Sequence, residues 1–340
     1  MKTVSSEKTV SVGVIGLGAV GLRTLSYILR EPSLAVVACW DPDHAVRKHE
    51  VVVDAIKHGA RFAEHAQAVI DASELVYIAT PPKFHRAYAQ SVLDAGKLCW
   101  CEKPLSVSEA DGRAMVEAAA RSGLPTAVNF AYASAWCAQS LQALLAHDGP
   151  LGAVSGIFIR LHFKQWPRAF QAHAKWLAQP EEGGFIREVL SHHIYLAQKL
   201  MGPLERVFHH VEYPSPSPSP ARASEHENAT EVELMALLRS KQAVPVQLSA
   251  SLGGWRDLTE FTVICERGAA RIVDWYRLEI DRGQGFEALE GDSSDPRDAA
   301  YKRQVAHISA FARGESHSWA NFEDAWQVQS LVESLRLKAL

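Results

Sequence analysis

Long apolar runs are missing from this 340-residue chain. None approaches the ~20 residues needed to cross a bilayer, and the opening stretch MKTVSSEKTV lacks the apolar core of a signal peptide. This reading excludes a membrane partner, and a cytoplasmic location is expected. An excess of one charge is missing too: 35 Lys and Arg stand against 39 Asp and Glu, for a formal net charge of −4. The basic residues are spread along the chain, so nothing favours a nucleic-acid backbone as partner. Cysteine is scarce, with five at scattered positions. That excludes a disulfide framework and fits a reducing compartment. Cys99 and Cys101 flank Trp100 in an apolar segment and read as packing residues. Fifteen histidines invite a metal, yet neither HExxH nor CxxC spacing occurs, and no metal is expected.

What remains is a chain with 47% hydrophobic and 22% charged residues, long enough for two ordinary domains. Short apolar runs at 11–16, 34–40, 75–79 and 97–101 alternate with helix-like spacing at 20–30, 86–95 and 107–122. Such alternation implies an α/β domain with a parallel sheet and right-handed crossovers. After Leu124-Pro125 the pattern changes. Strand-like segments at 127–130, 152–164, 206–212, 231–239, 245–252, 259–266 and 270–280 surround few helices, a largely antiparallel open sheet. The expected domains are therefore 1–126 and 127–340. Amphipathic helices close the chain at about 298–313 and 321–338. Alternating Pro and Ser within 213–229 cannot donate a full hydrogen-bond ladder, and that stretch is expected as a mobile loop inside the second domain. A sheet with one open face needs cover, which points to a homo-dimer or homo-tetramer.

Gly16-Leu17-Gly18-Ala19-Val20-Gly21 follows the first strand and opens the first helix. In that setting the first glycine permits a tight turn and the second lets the backbone approach a pyrophosphate. The third lets helix and strand pack closely. The anion would lie at the helix N-terminus. Asp41, at the end of the second strand, is placed to accept from both ribose hydroxyls and would repel a 2′-phosphate, which favours NAD over NADP. Arg47 and Lys48, a turn further on, compensate in part. The plainer alternative is a purely structural turn.

Glu102-Lys103-Pro104 ends the strand KLCWC, and strand C-termini are where ligands bind in open parallel sheets. An ammonium partly withdrawn from water parts with its proton more readily, so Lys103 is a candidate proton donor or acceptor. A cis bond before Pro104 would aim it into the cleft. The alternative is a surface pair with Glu102.

The glycine loop, Ala79-Thr80-Pro81-Pro82 with His85, and Glu102-Lys103-Pro104-Leu105 together resemble the glucose-fructose oxidoreductase/inositol dehydrogenase/MocA family. The resemblance is strong over 11–105 and thinner beyond. It implies a Rossmann domain followed by an open α/β domain, with NAD(P) between them. Thr80, Pro81, Pro82 and His85 would then lie beside the cofactor, Glu102 near the nicotinamide ribose, and Lys103 would handle the proton.

The family's substrate-domain helix carries a glycine pair, an aspartate, a glycine, a histidine and a further aspartate. Matched by position, Gly183-Gly184 keep the pair, Glu188 stands for the first aspartate and His192 for the histidine. Leu190 replaces the glycine and Tyr195 the last aspartate. Independently of the family, Glu188 and His192 are four apart and share a helix face. A carboxylate beside an imidazole raises its basicity and fixes its tautomer, as a general base requires. His193 points about 100° away and reads as a surface or packing residue, and His209-His210 read as strand residues. Ala133 and Trp176-Leu177 stand where many members carry arginine, which argues against an anionic substrate. Tyr132, Trp166, Arg168 and Trp176 either line an aromatic pocket or serve the structure.

The expectation is an NAD(H)-dependent oxidoreductase. It would move hydride between nicotinamide and a carbinol or carbonyl carbon of a small polyol, sugar derivative or cyclic substrate, with Lys103, His192 and Glu188 as catalytic residues. An NAD-dependent glycosidase acting through transient oxidation, an imine reductase and a non-catalytic NAD-binding regulator stay open as alternatives.

Overall fold

The computed structural model describes residues 9–171, 174–214, 230–291, 293–315 and 317–338. Contacts divide the chain into two compact units, 1–134 with 298–326 and 135–297 with 327–340.

The first unit is a six-stranded parallel sheet. Its strands are β1 (Val10–Ile15), β2 (Leu34–Trp40), β3 (Arg61–Phe62), β4 (Leu75–Ile78), β5 (Leu98–Glu102) and β6 (Thr126–Asn129). They lie in the order β3-β2-β1-β4-β5-β6. Helices α1 (Ala19–Ile28), α2 (Glu50–Lys57), α3 (Ala66–Ala72), α4 (His85–Asp94) and α5 (Glu109–Ser122) make the crossovers. Sheets of this kind are covered on both faces, so their strands read as continuous apolar runs rather than alternating ones. All four residues of β4 are buried. Burial pushes the Cys99 and Cys101 thiols up, so both stay protonated within the packing. The strand order reverses between β1 and β4, the switch point at which ligands bind in open α/β sheets.

Where the sequence reading placed everything from 127 onward in a second domain, residues 298–326 group with the first unit. Tyr27 Oη donates to Asp298 Oδ1 (2.9 Å) and stacks on Tyr301, while Val128 N–H donates to the Ala320 carbonyl (2.8 Å). The helix Pro296–Ala312 thus begins at the edge of one unit and continues into the other.

The second unit carries α6 (Trp136–Leu144), β7 (Val154–Phe163), α7 (Ser191–Met201), β8 (Leu204–Glu212), β9 (Glu233–Ser240) and β10 (Pro245–Leu252). β11 (Leu258–Cys265), β12 (Gly268–Val273), β13 (Arg277–Asp281) and β14 (Phe286–Ala288) complete it. The sheet runs β14-β13-β12-β11-β7-β10-β9-β8 and is antiparallel except for the parallel pair β7/β10. Burial alternates along β9, where Leu234, Ala236 and Leu238 face inward and Met235 outward. The segment expected as one strand over 270–280 is two. Asp274 and Trp275 both adopt positive φ (51° and 75°) and turn the chain back on itself. Apolar spacing runs straight through this turn, and no glycine marks it. Of the loop expected at 213–229, residues 215–229 lie outside the described residues.

Gly183-Gly184 lead into a π-helical turn, Ile186–Leu190, that continues as α7. Gly184 sits at φ +103°, and a Cβ there would lie 2.5 Å from Glu231 Oε1. The Glu231 side chain is fully buried, accepts from Ile186 N–H (3.0 Å) and meets Arg336 at 3.4 Å. Arg336 and Arg187 both hold Glu333, and Arg187 donates to the carbonyls of Pro180, Glu181 and Gly183. Burial is tolerable for these four charges because each has an opposite partner and further hydrogen bonds. Replacing Arg336 by Met strands the Glu231 carboxylate, so Arg336→Met should cost about 3–5 kcal/mol. Urea unfolding of variant and parent checks this, and a midpoint within error of the parent's would refute it.

Candidate active site

At the C-terminal edge of the first sheet, the glycine loop has two tight positions and one open one. At Gly16 (φ +96°) an added Cβ would lie 2.6 Å from the Ala79 carbonyl carbon, and at Gly21 it would lie 2.1 Å from the Gly16 oxygen. At Gly18 it would meet nothing within 4 Å. Close packing therefore demands Gly16 and Gly21, whereas Gly18 leaves a cradle in front of the N-terminus of α1. Gly18 caps that helix without any side-chain hydrogen bond, and the first-turn N–H groups have no intrahelical acceptor. Asp41 Oδ2 accepts from Leu17 N–H (2.7 Å) and Oδ1 from Asp43 N–H (2.9 Å), which ties the end of β2 to the loop. These residues fit a dinucleotide: backbone donors, open space at the middle glycine and a carboxylate at the neighbouring strand end.

β4 ends at Ile78, and Ala79-Thr80 follow it beside Gly16. The His85 ring is fully buried, with Nδ1 2.9 Å from the Pro104 carbonyl oxygen and Nε2 2.9 Å from the Thr80 carbonyl oxygen. It bridges the turns after β4 and β5. Lys103 is half-buried on the second of these turns, ahead of a cis peptide bond to Pro104.

Glu102 is buried, only 8% exposed. Its Oε1 accepts from Tyr77 Oη (2.5 Å) and from Asn129 Nδ2, and Asn129 Oδ1 accepts from Gln304 Nε2. Burial and the Glu102 carboxylate push the Tyr77 hydroxyl well above its ordinary range, so it stays a donor. The sequence reading missed Tyr77, Asn129 and Gln304. Tyr77 lies inside an apolar strand and reads as core, and Gln304 comes from a helix assigned to the other domain. Asn129 alone carried a signal, as a polar residue at a strand C-terminus.

The second unit holds Glu188, His192, Trp166 and Trp176; Tyr132 belongs to the first and is almost fully buried, at 1% exposed. Glu188 and His192 are both buried on the continuous π-to-α helix, with Glu188 N–H donating to the Gly184 carbonyl (3.0 Å). The Trp275 ring lies edge-on to His192 (5.5 Å, 79°) and against His193 (5.5 Å). Its position was not legible, because the turn that carries it was read as strand. Trp166 Nε1 donates to the Leu177 carbonyl (2.9 Å), and its ring packs with Phe163 and Phe185. Trp176 is half-buried on a short helical turn, Lys175–Ala178. His209 Nε2 lies 2.7 Å from the Leu337 carbonyl, while His210 faces Glu212.

Residues 10–130 match the model of an oxidoreductase family with an NAD-binding Rossmann fold, GFO_IDH_MocA, and residues 139–271 match the GFO/IDH/MocA C-terminal domain. The chain belongs to this oxidoreductase family, and its first unit is the family's NAD-binding domain. An oxidoreductase from Formosa agariphila is 27% identical over 211 residues, which span 59% of this chain and 63% of that protein. Three solved structures share the fold. UDP-N-acetylglucosamine 3-dehydrogenase GnnA from Acidithiobacillus ferrooxidans has 18% identity and a TM-score of 0.75, covering 96% of this chain and 97% of its own. The Actinomadura kijaniata 3-ketoreductase KijD10, in complex with NADP and TDP-benzene, has 21% identity and a TM-score of 0.75, with 97% coverage of both chains. An Agrobacterium radiobacter oxidoreductase with NAD+, L-tartaric acid and magnesium has 18% identity and a TM-score of 0.77, covering 96% and 95%.

His193 supplies a pH test of the helix. Burial lowers its pKa from 6.5 to about 4, opposed by a hydrogen bond to the Val189 carbonyl. The folded state binds fewer protons than the unfolded state between those values. Its contribution to stability is therefore full above pH about 6.5 and is lost as pH falls toward 4. His193→Asn, which keeps a donor near Val189, should flatten the fall of Tm between pH 7 and pH 5. Thermal melts across that range decide it, and equal slopes for both proteins count against it.

Proposed function

We propose that this chain transfers a hydride between NAD and a carbinol or carbonyl carbon of a small polyhydroxylated substrate, and that its own side chains move the accompanying proton. The observation that carries the reading is the open cradle at Gly18, set at the switch point of the sheet with Lys103 on a nearby strand end. Gly16, Leu17, Gly18, Ala19, Val20 and Gly21 would hold the pyrophosphate and Asp41 the adenosine ribose, where its charge disfavours a 2′-phosphate. Thr80, Pro81 and Pro82 would border the nicotinamide half, with His85 and Glu102 fixing the turns beneath it. When bound, the nicotinamide supplies the hydride acceptor or donor at C4.

Proton handling falls to Lys103 in the first unit and to the Glu188–His192 pair in the second. In oxidation His192 takes the hydroxyl proton while Glu188 stabilises the imidazolium, and Lys103 polarises the developing carbonyl. In reduction these roles reverse. The sugar-nucleotide dehydrogenase and the tartaric acid complex among the structural neighbours support a polyhydroxylated substrate. Lys103→Met should leave the NADH-induced rise in Tm in place and lower turnover by roughly 10²-fold or more. A polyol and sugar-derivative panel read at the nicotinamide absorbance measures the second effect. Unchanged turnover rejects the lysine assignment. Product without net NADH would turn the reading toward transient oxidation.

The outward face of the second sheet brings together Phe208, Leu237 and Met235 on β8 and β9 and carries Ile264 further across, on β11. Phe208 is 58% and Met235 51% exposed. We propose that a second copy of the chain covers this face. Light scattering should give a dimer or tetramer, and Met235→Glu should shift it toward monomer. A parent that is already monomeric at micromolar concentration contradicts the proposal.

A further inference from the structure

The segment after β7 folds back over the start of the helix that carries Glu188 and His192. Lys164 N–H donates to Asp257 Oδ1 (3.0 Å), and Trp166 is pinned by its bond to the Leu177 carbonyl. Arg168 lies on this segment, half-buried against three aromatic rings, of which Phe170 is itself 59% exposed. Its guanidinium carbon is 5.5 Å from the Phe163 ring centre, 5.7 Å from that of Trp166 and 4.8 Å from that of Phe170. Among the described residues its one hydrogen bond is from Nε–H to Gln171 Oε1 (2.9 Å), which fixes the plane of the group and leaves both terminal NH₂ groups without a protein acceptor. Burial weakens the guanidinium's hold on its proton, and Asp257 and Glu188 partly restore it. Neither carboxylate is within ion-pair distance, so their attraction acts across a gap.

A half-buried cation stacked against three rings, held in one plane and keeping two outward donors is built to receive a planar or tetrahedral oxyanion. Lysine would supply neither the fork nor the ring stacking. Arg168 stacks on the Trp166 ring, and Trp166 packs against Phe185 (6.4 Å), three residues before Glu188 on the helix that also carries His192. The absence of arginine at Ala133 and Leu177 argues against an anionic substrate; the structure returns a cation from a different element. We propose that Arg168 recognises an anionic oxygen group on the substrate, a carboxylate or a phosphate, so that the substrate class narrows to a polyhydroxylated acid or its phosphate ester. This rests on the redox reading for its biological sense, but not for its test.

The test is isothermal titration of the full chain, saturated with NAD+, against D-glucuronate, glucose 6-phosphate and neutral D-glucose. The first two separate carboxylate from phosphate recognition. At least one charged probe should bind tenfold or more tightly than glucose, Arg168→Met should abolish that preference, and Arg168→Lys should keep part of it. Equal binding of charged and neutral probes, no binding of either charged probe, or a preference that survives Arg168→Met overturns the inference. Arg168-dependent binding without any NADH formation from the same compounds would leave it standing while counting against the redox reading. NADH formation from glucose alone, indifferent to Arg168→Met, would do the reverse.

Discussion

A single buried carboxylate holds the ligand-facing edge of the first unit together. Glu102 sits at the last position of β5, where an ionised group is costly unless donors surround it. Tyr77 reaches it from β4 and Asn129 from β6, and Gln304 braces Asn129 from the helix Pro296–Ala312. Three adjacent strands therefore meet at one oxygen, and a helix distant in sequence braces one of its two donors. Because β5 pairs with β4 and β6 in register up to this point, the carboxylate also sets where the chain leaves the sheet, and so where Lys103 begins its turn. His85 closes the same turn from the other side through the Thr80 and Pro104 carbonyls.

The second unit repeats this logic with the signs exchanged. Arg187, buried and held by Glu333 and three carbonyls, immediately precedes Glu188, as Glu102 immediately precedes Lys103. In each case a charged residue locked into the interior stands one position before a member of the proposed proton-handling set. Interior anchors of this sort cost little once every lone pair and N–H is matched, and they remove the rotational freedom that would otherwise blur a functional side chain. The glycine pair at 183–184 belongs to the anchor rather than to the chemistry. A side chain at Gly184 would collide with the Glu231 carboxylate that holds Arg336.

Most of the architecture was legible because the signals were local. Apolar runs marked the strands, helical spacing marked the crossovers, and the glycine pattern between β1 and α1 marked the phosphate loop; Glu102-Lys103-Pro104 stood out as charge at the end of an apolar strand. What escaped depended on contacts distant in sequence. Nothing around Tyr77 or Gln304 says that the first shares the Glu102 carboxylate with Asn129 or that the second braces Asn129, since each alone reads as core or helix surface. The return of 298–326 to the first unit was hidden for the same reason: an amphipathic helix shows that it packs, not against what. The turn at Asp274-Trp275 escaped because its positive φ values are carried by residues that rarely adopt them.

That turn shows how an unfavourable backbone can be kept for a purpose. Left-handed Trp costs of order 1–3 kcal/mol and persists only where its surroundings over-determine it. Here the indole is wedged against His192 and His193, and the Trp275 carbonyl accepts from the Cys137 thiol at 3.7 Å. Phenylalanine would retain the edge contact but lose the indole's breadth across two imidazoles, and glycine would relieve the backbone while removing the wall beside His192. The residue type and the strained conformation together hold a wall beside both imidazoles, and that wall restricts how far either ring can turn.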